Sequence, residues 1–282
     1  MTMLSVFGSS GFIGSRYSEL YASEAIQIKR DVNRPATPEL LYLISTVDNY
    51  NVYTDPYLDI NTNLIKLVDV LEECRKIEDK DSVVFNFISS WFVYGKTNDF
   101  PANEDSVCNP KGFYSITKYA AENMLASYCN TYGIKYRILR LTNIIGKHDK
   151  KISKKKNAIQ FMIERLKRNE DVELYSSGNV VRDYMFVDDC CRAINMCVKT
   201  APYNEIINIS NSEPIEIKEI IEYAKAKIGS SSRLKSIDTP AFHSKVQIAN
   251  MYLDNTKLLK LGYKPSMTVY DAIDEILEIT ND

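Results

Sequence analysis

At 282 residues the chain is long for one domain and short for two full ones, and with 45% hydrophobic and 26% charged residues it has enough apolar material for a sizeable core. A formal charge of -2 and a pI near 5.9 exclude the electrostatic footprint of a nucleic-acid binder or of a protein drawn to anionic membranes. No apolar stretch approaches transmembrane length, and the chain opens on a strand-like run rather than a signal peptide, so a soluble, cytoplasmic protein is expected.

Strand-like and helix-like runs alternate through the first two thirds. Met3 to Phe7 reads as a strand, and Phe12 to about Ala22 as a helix after a glycine turn. Ile26 to Lys29 and Leu40 to Ile44 read as two further strands joined by a short, Pro-containing link. The spacing of Leu64, Leu67, Val68 and Leu71 predicts a helix over Asn61 to Arg75. Ser82 to Ile88 is a buried strand that runs into Ser89 and Ser90; Phe113 to Tyr132 is a helix, and Tyr136 to Arg140 the next strand. This alternation predicts an α/β fold, a doubly wound parallel sheet of the Rossmann type. The pattern changes after Gly146. Lys147 to Lys156 is a lysine-rich loop, read as a solvated segment with a flap over an anionic substrate as the alternative. Ala158 to Lys167, Ile217 to Lys227 and Thr268 to Ile279 read as helices; Val172 to Leu174, Met185 to Val187 and Ile206 to Ile209 as short strands; Ser230 to Lys235 as a polar linker. The expected organisation is a nucleotide-binding domain over 1–146, rejoined by segments near 180–210, and a smaller mixed substrate domain over 147–282.

The chemistry concentrates in three places. Gly8-Ser-Ser10-Gly11-Phe12-Ile13-Gly14 lies between the first strand and first helix. Three glycines permit a tight turn and close backbone approach, and the helix start offers free N–H groups to a pyrophosphate, so this loop is expected to bind a dinucleotide. Ser90 closes a predicted parallel strand, at the carboxyl edge where ligands of open α/β sheets bind. Tyr114 and Lys118 lie one helical turn apart, so the ammonium can stabilise phenolate and make the phenol a usable acid or base. A second Tyr-x-x-x-Lys, Tyr223 and Lys227, has neither a glycine loop nor a strand-end serine before it and reads as an ordinary charged helix face. The six cysteines show no C-x-x-C, and with only two histidines no metal spacing exists; buried free thiols and no metal are expected.

Together with Ser89-Ser-Trp-Phe-Val-Tyr-Gly95, Arg182-Asp-Tyr-Met-Phe-Val-Asp-Asp189 and the late Leu261-Gly-Tyr-Lys-Pro265, these motifs resemble the extended short-chain dehydrogenase/reductase family over nearly the whole chain. Within that family the chain is similar to the NAD(P)-dependent nucleotide-sugar epimerases, dehydratases and reductases. The resemblance implies that Ser90, Tyr114 and Lys118 are catalytic. Tyr114 would exchange a proton with the sugar oxygen, Lys118 would hold the nicotinamide ribose, and Ser90 would hydrogen-bond the reacting oxygen. Gly8, Ser10, Gly11, Phe12, Ile13, Gly14, Lys29 and Arg30 would bind the cofactor. Ser90, Trp91, Asn143 and Arg182 would bind the nucleotide sugar, Arg182 at its diphosphate, with a carboxylate salt bridge as the competing reading of that arginine. Asp188 and Asp189 read as helix caps. The resemblance also implies a homodimer through the helices over 61–75 and 113–132.

Three departures narrow the reading. Trp91 and Phe92 stand where dehydratases of the family carry an acid and a base, which argues against dehydration. Lys29-Arg30-Asp31 stands where NAD-preferring members carry an acid, which favours NADP, with NAD open because Asp31 is one residue away. The span from Arg30 to Leu40 is too short for the usual helix and strand, which suits an exchanging cofactor. The second diphosphate arginine is missing near 240–247, where Lys245 is a possible substitute. The reading is a 4-keto reductase of a nucleotide-linked deoxyhexose; the alternatives are a 4-epimerase with retained NAD and a non-catalytic NAD(P) sensor or scaffold.

Overall fold

Side chains alternate along the strands of the computed structural model, which describes residues 3–47, 49–97, 99–147, 149, 157–246, 248 and 250–278. In β1 (Leu4–Phe7), Leu4 and Val6 enter one core and Phe7 the other; in β3 (Glu39–Tyr42), Leu41 enters the first while Leu40 and Tyr42 enter the second. Strands apolar on both faces must be covered on both, and that selects a parallel sheet between two helical layers. With β2 (Ala25–Gln27), β4 (Val84–Ser90), β5 (Lys135–Leu141) and β10 (Glu205–Ile209), the strands form a six-stranded parallel sheet in the order β10-β5-β4-β3-β1-β2. The chain reverses its direction of winding between β1 and β3, the crevice in which ligands of such sheets bind.

Helix α1 (Phe12–Leu20) and the later α7 (Val187–Thr200) cover one face through Tyr17, Cys190, Ile194 and Cys197. The other face carries α4 (Lys66–Arg75) and α5 (Phe113–Tyr132) through Leu67, Leu71, Leu125 and Cys129. Two short helices, α2 (Asn51–Thr54) and α3 (Pro56–Ile60), and a wide five-residue turn at Asn61–Ile65 lead into α4. The buried stripe of α4 is Leu67, Val70, Leu71 and Cys74; Leu64 and Val68, expected in it, are half-buried, and Val68 lines a shallow outer groove with Met124 and Tyr128 of α5. The connection from β2 to β3 contains neither helix nor strand, as its length required.

Beyond β5 the chain builds small two-stranded pairs against the first core. β6 (Asn143–Ile145) pairs with β9 (Tyr184–Phe186), and β8 (Val181–Arg182) with β11 (Ile215–Glu216). β7 (Val172–Tyr175) pairs in parallel with β12 (Leu234–Ile237). Helices α6 (Ala158–Lys167), α8 (Ile217–Ile228), α9 (Ala241–Val246), α10 (Thr256–Lys260) and α11 (Val269–Glu278) complete it.

Three local readings are corrected. Val187 starts α7 rather than ending a strand, because the Val187, Cys190, Cys191, Ile194 and Cys197 pattern has helical period. The polar segment over 230–235 is no linker throughout: Leu234 opens β12, whose backbone finds partners along β7. Asp188 and Asp189 do not cap α7, which starts after Phe186 without a side-chain cap. Asp188 instead takes a two-pronged ion pair from Arg16 of α1, with both bonds 2.6 Å long. Buried Asp189 accepts from the backbone N–H groups of Ser266 and Met267, each at 3.1 Å. The lysine-rich loop lies outside the described residues apart from Lys147 and Asp149. Five of the six cysteines are buried and Cys108 is half-buried, all as free thiols.

Candidate active site

A cleft of about 1570 Å³ opens along the carboxyl ends of β1, β3, β4 and β5. Its floor is the glycine loop. Gly8 leaves β1 with φ +80°, a left-handed backbone that disfavours any side chain, and the Gly11 N–H donates to the Gly8 carbonyl at 3.0 Å. A Cβ on Gly14 would lie 2.3 Å from that carbonyl oxygen, so α1 can approach the loop only through glycine. Helix α1 begins after Gly11 with no side-chain cap and no acid in its first turn, which leaves its N–H groups for an anion. Ser10, Phe12 and Ile13 line the same wall. The variant Gly14→Ala is expected to weaken NAD(P) binding roughly tenfold to a hundredfold, the equivalent of about 1–3 kcal/mol of forced backbone shift. Calorimetric titration checks this, and unchanged affinity would remove the loop from the binding site.

Ser90, Tyr114 and Lys118 come together in this cleft from two elements. Ser90 ends β4, and its Oγ accepts the Phe92 N–H at 3.4 Å as the chain turns through Trp91–Tyr94. Tyr114 occupies the first turn of α5 and is buried. The edge of its ring meets Phe92 at a centroid distance of 5.9 Å and 78°. Lys118 is 2% exposed; its Nζ donates to the Ile88 carbonyl at 2.7 Å and sits 4.1 Å from the Phe87 ring centre. Burial pushes this ammonium down to about 7, and Glu122 acts in the opposite sense. Glu122 is itself held by Arg140 through bonds of 2.7 and 3.1 Å, a buried pair that fixes α5 to β5. Breaking one side of such a pair costs roughly 3–5 kcal/mol.

The far wall is built from β6, β8 and the turn after β4. Asn143 donates to the Asp183 carbonyl at 3.0 Å. The Arg182 guanidinium donates to the carbonyls of Val181, at 2.9 Å, and Ile248, and it lies 5.1 Å from the Trp91 ring centre. Burial lowers it to about 10. Lys29 and Arg30 line the cleft exposed, and among the described residues neither side chain has a hydrogen-bond or ion-pair partner; Asp31 is not a lining residue. Lys245 is not a lining residue either, because α9 turns Phe242, His243, Ser244 and Val246 to the cleft, so the suggested substitute for the second arginine is withdrawn. Among the described residues, seven Lys and Arg side chains line the cleft against two carboxylates, Asp149 and Glu173, so within a chain of net charge -2 this space is lined mainly by basic groups.

Sequence reasoning missed two buried polar residues that hold the site. Asn63 accepts the Thr46 N–H at 2.9 Å and donates to the Thr117 hydroxyl at 3.0 Å, joining the loop after β3 to the residue before Lys118. Its signal was a polar residue four positions before core Leu67, on the same helix face. Asp183 accepts from the Ser210 hydroxyl at 2.5 Å and the Leu253 N–H at 3.1 Å, and desolvation raises its carboxyl to about 7. Nothing in its sequence neighbourhood marks it as buried. Tyr223 and Lys227, read as a charged surface face, both bond Asp274, at 2.9 and 2.8 Å, and so clamp α8 to α11.

A parallel sheet wound this way, with a glycine loop at its switch point and a Tyr-x-x-x-Lys helix facing a strand-end serine, defines a dinucleotide-binding protein of the extended short-chain dehydrogenase/reductase class. The model of the NAD dependent epimerase/dehydratase family matches residues 38–210, and the chain is an enzyme of that family. A putative UDP-glucose 4-epimerase of Methanocaldococcus jannaschii is 28% identical over 239 residues, spanning 84% of this chain and 75% of that protein. The dTDP-4-dehydro-6-deoxyglucose reductase of Escherichia coli is 23% identical over 270 residues, 93% of this chain and 81% of that one. The crystal structure of UDP-glucose 4-epimerase with UDP-glucose from Thermotoga maritima superposes with a TM-score of 0.88 at 22% identity, covering 100% of both chains. No described helix is long and apolar enough to cross a membrane.

Proposed function

We propose that the protein reduces the 4-keto group of a nucleotide-linked deoxyhexose, with NADPH as hydride donor and Tyr114 as acid. The observation that carries this reading is the buried Tyr114–Lys118 turn beside Ser90, in a cationic cleft with an apolar Trp91–Phe92 pair at the reacting end. The residues fit a nicotinamide dinucleotide. The Gly8–Gly14 approach leaves room for a pyrophosphate, the uncapped start of α1 faces it, and unpartnered Lys29 and Arg30 suit a 2′-phosphate. When bound, the cofactor supplies hydride. Tyr114 gives its phenolic proton to the sugar oxygen, Ser90 holds that oxygen by a hydrogen bond, and Lys118 stabilises the resulting phenolate and holds the cofactor ribose. Asn143 and Arg182 engage the nucleotide diphosphate. In this reading residues 1–146, with the segments near 180–210, form the cofactor half, and 147–282 mainly the substrate half. A homodimer would form through the segments over 61–75 and 113–132, which expose Ile65, Ile116 and Met124.

The epimerase names of the first relative and of the superposed structure favour a second reading, 4-epimerisation with retained NAD. Purified protein separates the two. Loss of NADPH absorbance with a UDP-, dTDP-, GDP- or CDP-linked 4-ketosugar is expected. NAD released on denaturation, with no consumption of added NADPH, would overturn the reductase. Arg30→Ala is expected to weaken NADP binding about tenfold or more while leaving NAD affinity unchanged. Parallel loss for both cofactors would remove the proposed 2′-phosphate contact.

A further inference from the structure

We propose that Trp91 and Phe92 form a braced aromatic wall that presents the sugar ring to the reacting groups by one face only, so that this enzyme sets a single configuration and does not turn its ketone over. The inference rests on the reduction proposed above and adds its stereochemical control.

Epimerisation at a carbinol carbon removes a hydride from carbon and a proton from oxygen, then returns the hydride to the opposite face of the same ketone. With one hydride carrier, the sugar must turn over between the two transfers, and that motion needs free space beside the phenol. Here Phe92 fills space beside Tyr114, edge to ring at 5.9 Å. Behind it Trp91 stacks on Phe92 at 4.0 Å and 27°.

The wall is braced chiefly at Trp91 and along its turn. Trp91 is 5% exposed and packs with Ile248, Met251 and Leu253 in a small core of its own. The Arg182 guanidinium lies over its ring while donating to the carbonyls of Val181 and Ile248. The turn that carries both rings ends at Gly95, φ +63°, where a Cβ would lie 1.8 Å from the Asn109 carbonyl oxygen. The Phe92 N–H is tied to Ser90 Oγ, so the ring and the catalytic hydroxyl share one rigid turn. Swinging Phe92 aside would break this stack, and well-packed interiors resist such displacement.

The test reads product configuration by NMR after reduction of a nucleotide-linked 4-ketosugar. Wild type is expected to give one epimer, and Phe92→Ala a mixture, with selectivity lower by about tenfold to a hundredfold. The proposal is overturned if Phe92→Ala and Trp91→Ala both turn over with wild-type selectivity. If neither variant folds, wild type incubated with its own product and a trace of NADP answers the question; appearance of the second epimer overturns the wall. If wild type reduces no ketosugar nucleotide, the reductase reading fails separately. The wall is then tested on cofactor-free protein with a nucleotide sugar. Transferred NOEs from the Trp91 and Phe92 ring protons to one face of the sugar support it, and contacts to both faces refute it.

Discussion

Tyr114→Phe is expected to lower kcat about a thousandfold, in the middle of the range that a positioned general acid contributes, while cofactor affinity stays within a factor of about three. The phenol is buried against Phe92 and packs by its ring, so the substitution removes one oxygen and little contact. Single-turnover NADPH oxidation gives the rate, and nucleotide titration gives the affinity. Retained turnover would remove Tyr114 from the role of acid, whereas a wild type that oxidises no NADPH would return the protein to the class of NAD(P) sensors and scaffolds. Equal loss of turnover and of cofactor binding would point to a damaged site rather than a missing proton.

Lys118→Met is expected to act in opposite directions on catalysis and stability. Turnover should fall by about a hundredfold or more, because the ammonium one helical turn from the phenol is lost. Stability should rise. In the folded protein Lys118 titrates at about 7, while an unfolded lysine titrates near the ordinary value of about 10.4. Between those values the unfolded chain holds a proton that the folded chain has released, so wild-type stability increases with pH across that window. Below about pH 7 both states are protonated and the full cost of burying the charge is present. Methionine removes that cost, so the cofactor-free variant should be more stable by a few kcal/mol near and below pH 7, with the gap closing toward about pH 10. Denaturant unfolding of both proteins over this range measures it; curves that run parallel would show that Lys118 carries no such penalty.

The parts of the molecule that were legible in its sequence are those where local chemistry admits one solution. Gly8, Gly11 and Gly14 between a strand and a helix specify a close turn, and the two-faced apolar strands specify a covered parallel sheet. Every residue singled out for the site, from Gly8 to Arg182, lines one cleft. The residues that escaped notice depend on tertiary neighbours. Asp188 and Asp189 have the local pattern of caps, yet Arg16, 172 positions earlier, and the backbone at Ser266 and Met267 claim them. Leu234 to Ile237 became a strand only because β7 offered it a ladder. Lys245 had the right charge but the wrong helical phase, a one-residue distinction that spacing alone did not resolve.

Trp91 is the chain's only tryptophan; it stacks on Phe92 and has the Arg182 guanidinium over its ring. The ultraviolet emission of the whole protein therefore comes chiefly from one buried indole that lines the cleft. If a nucleotide sugar engages Arg182 as proposed, the cation over that indole changes and a shift in emission intensity is expected without label or turnover. Inactive variants such as Tyr114→Phe keep this optical probe, and ligand occupancy can be followed in them separately from chemistry.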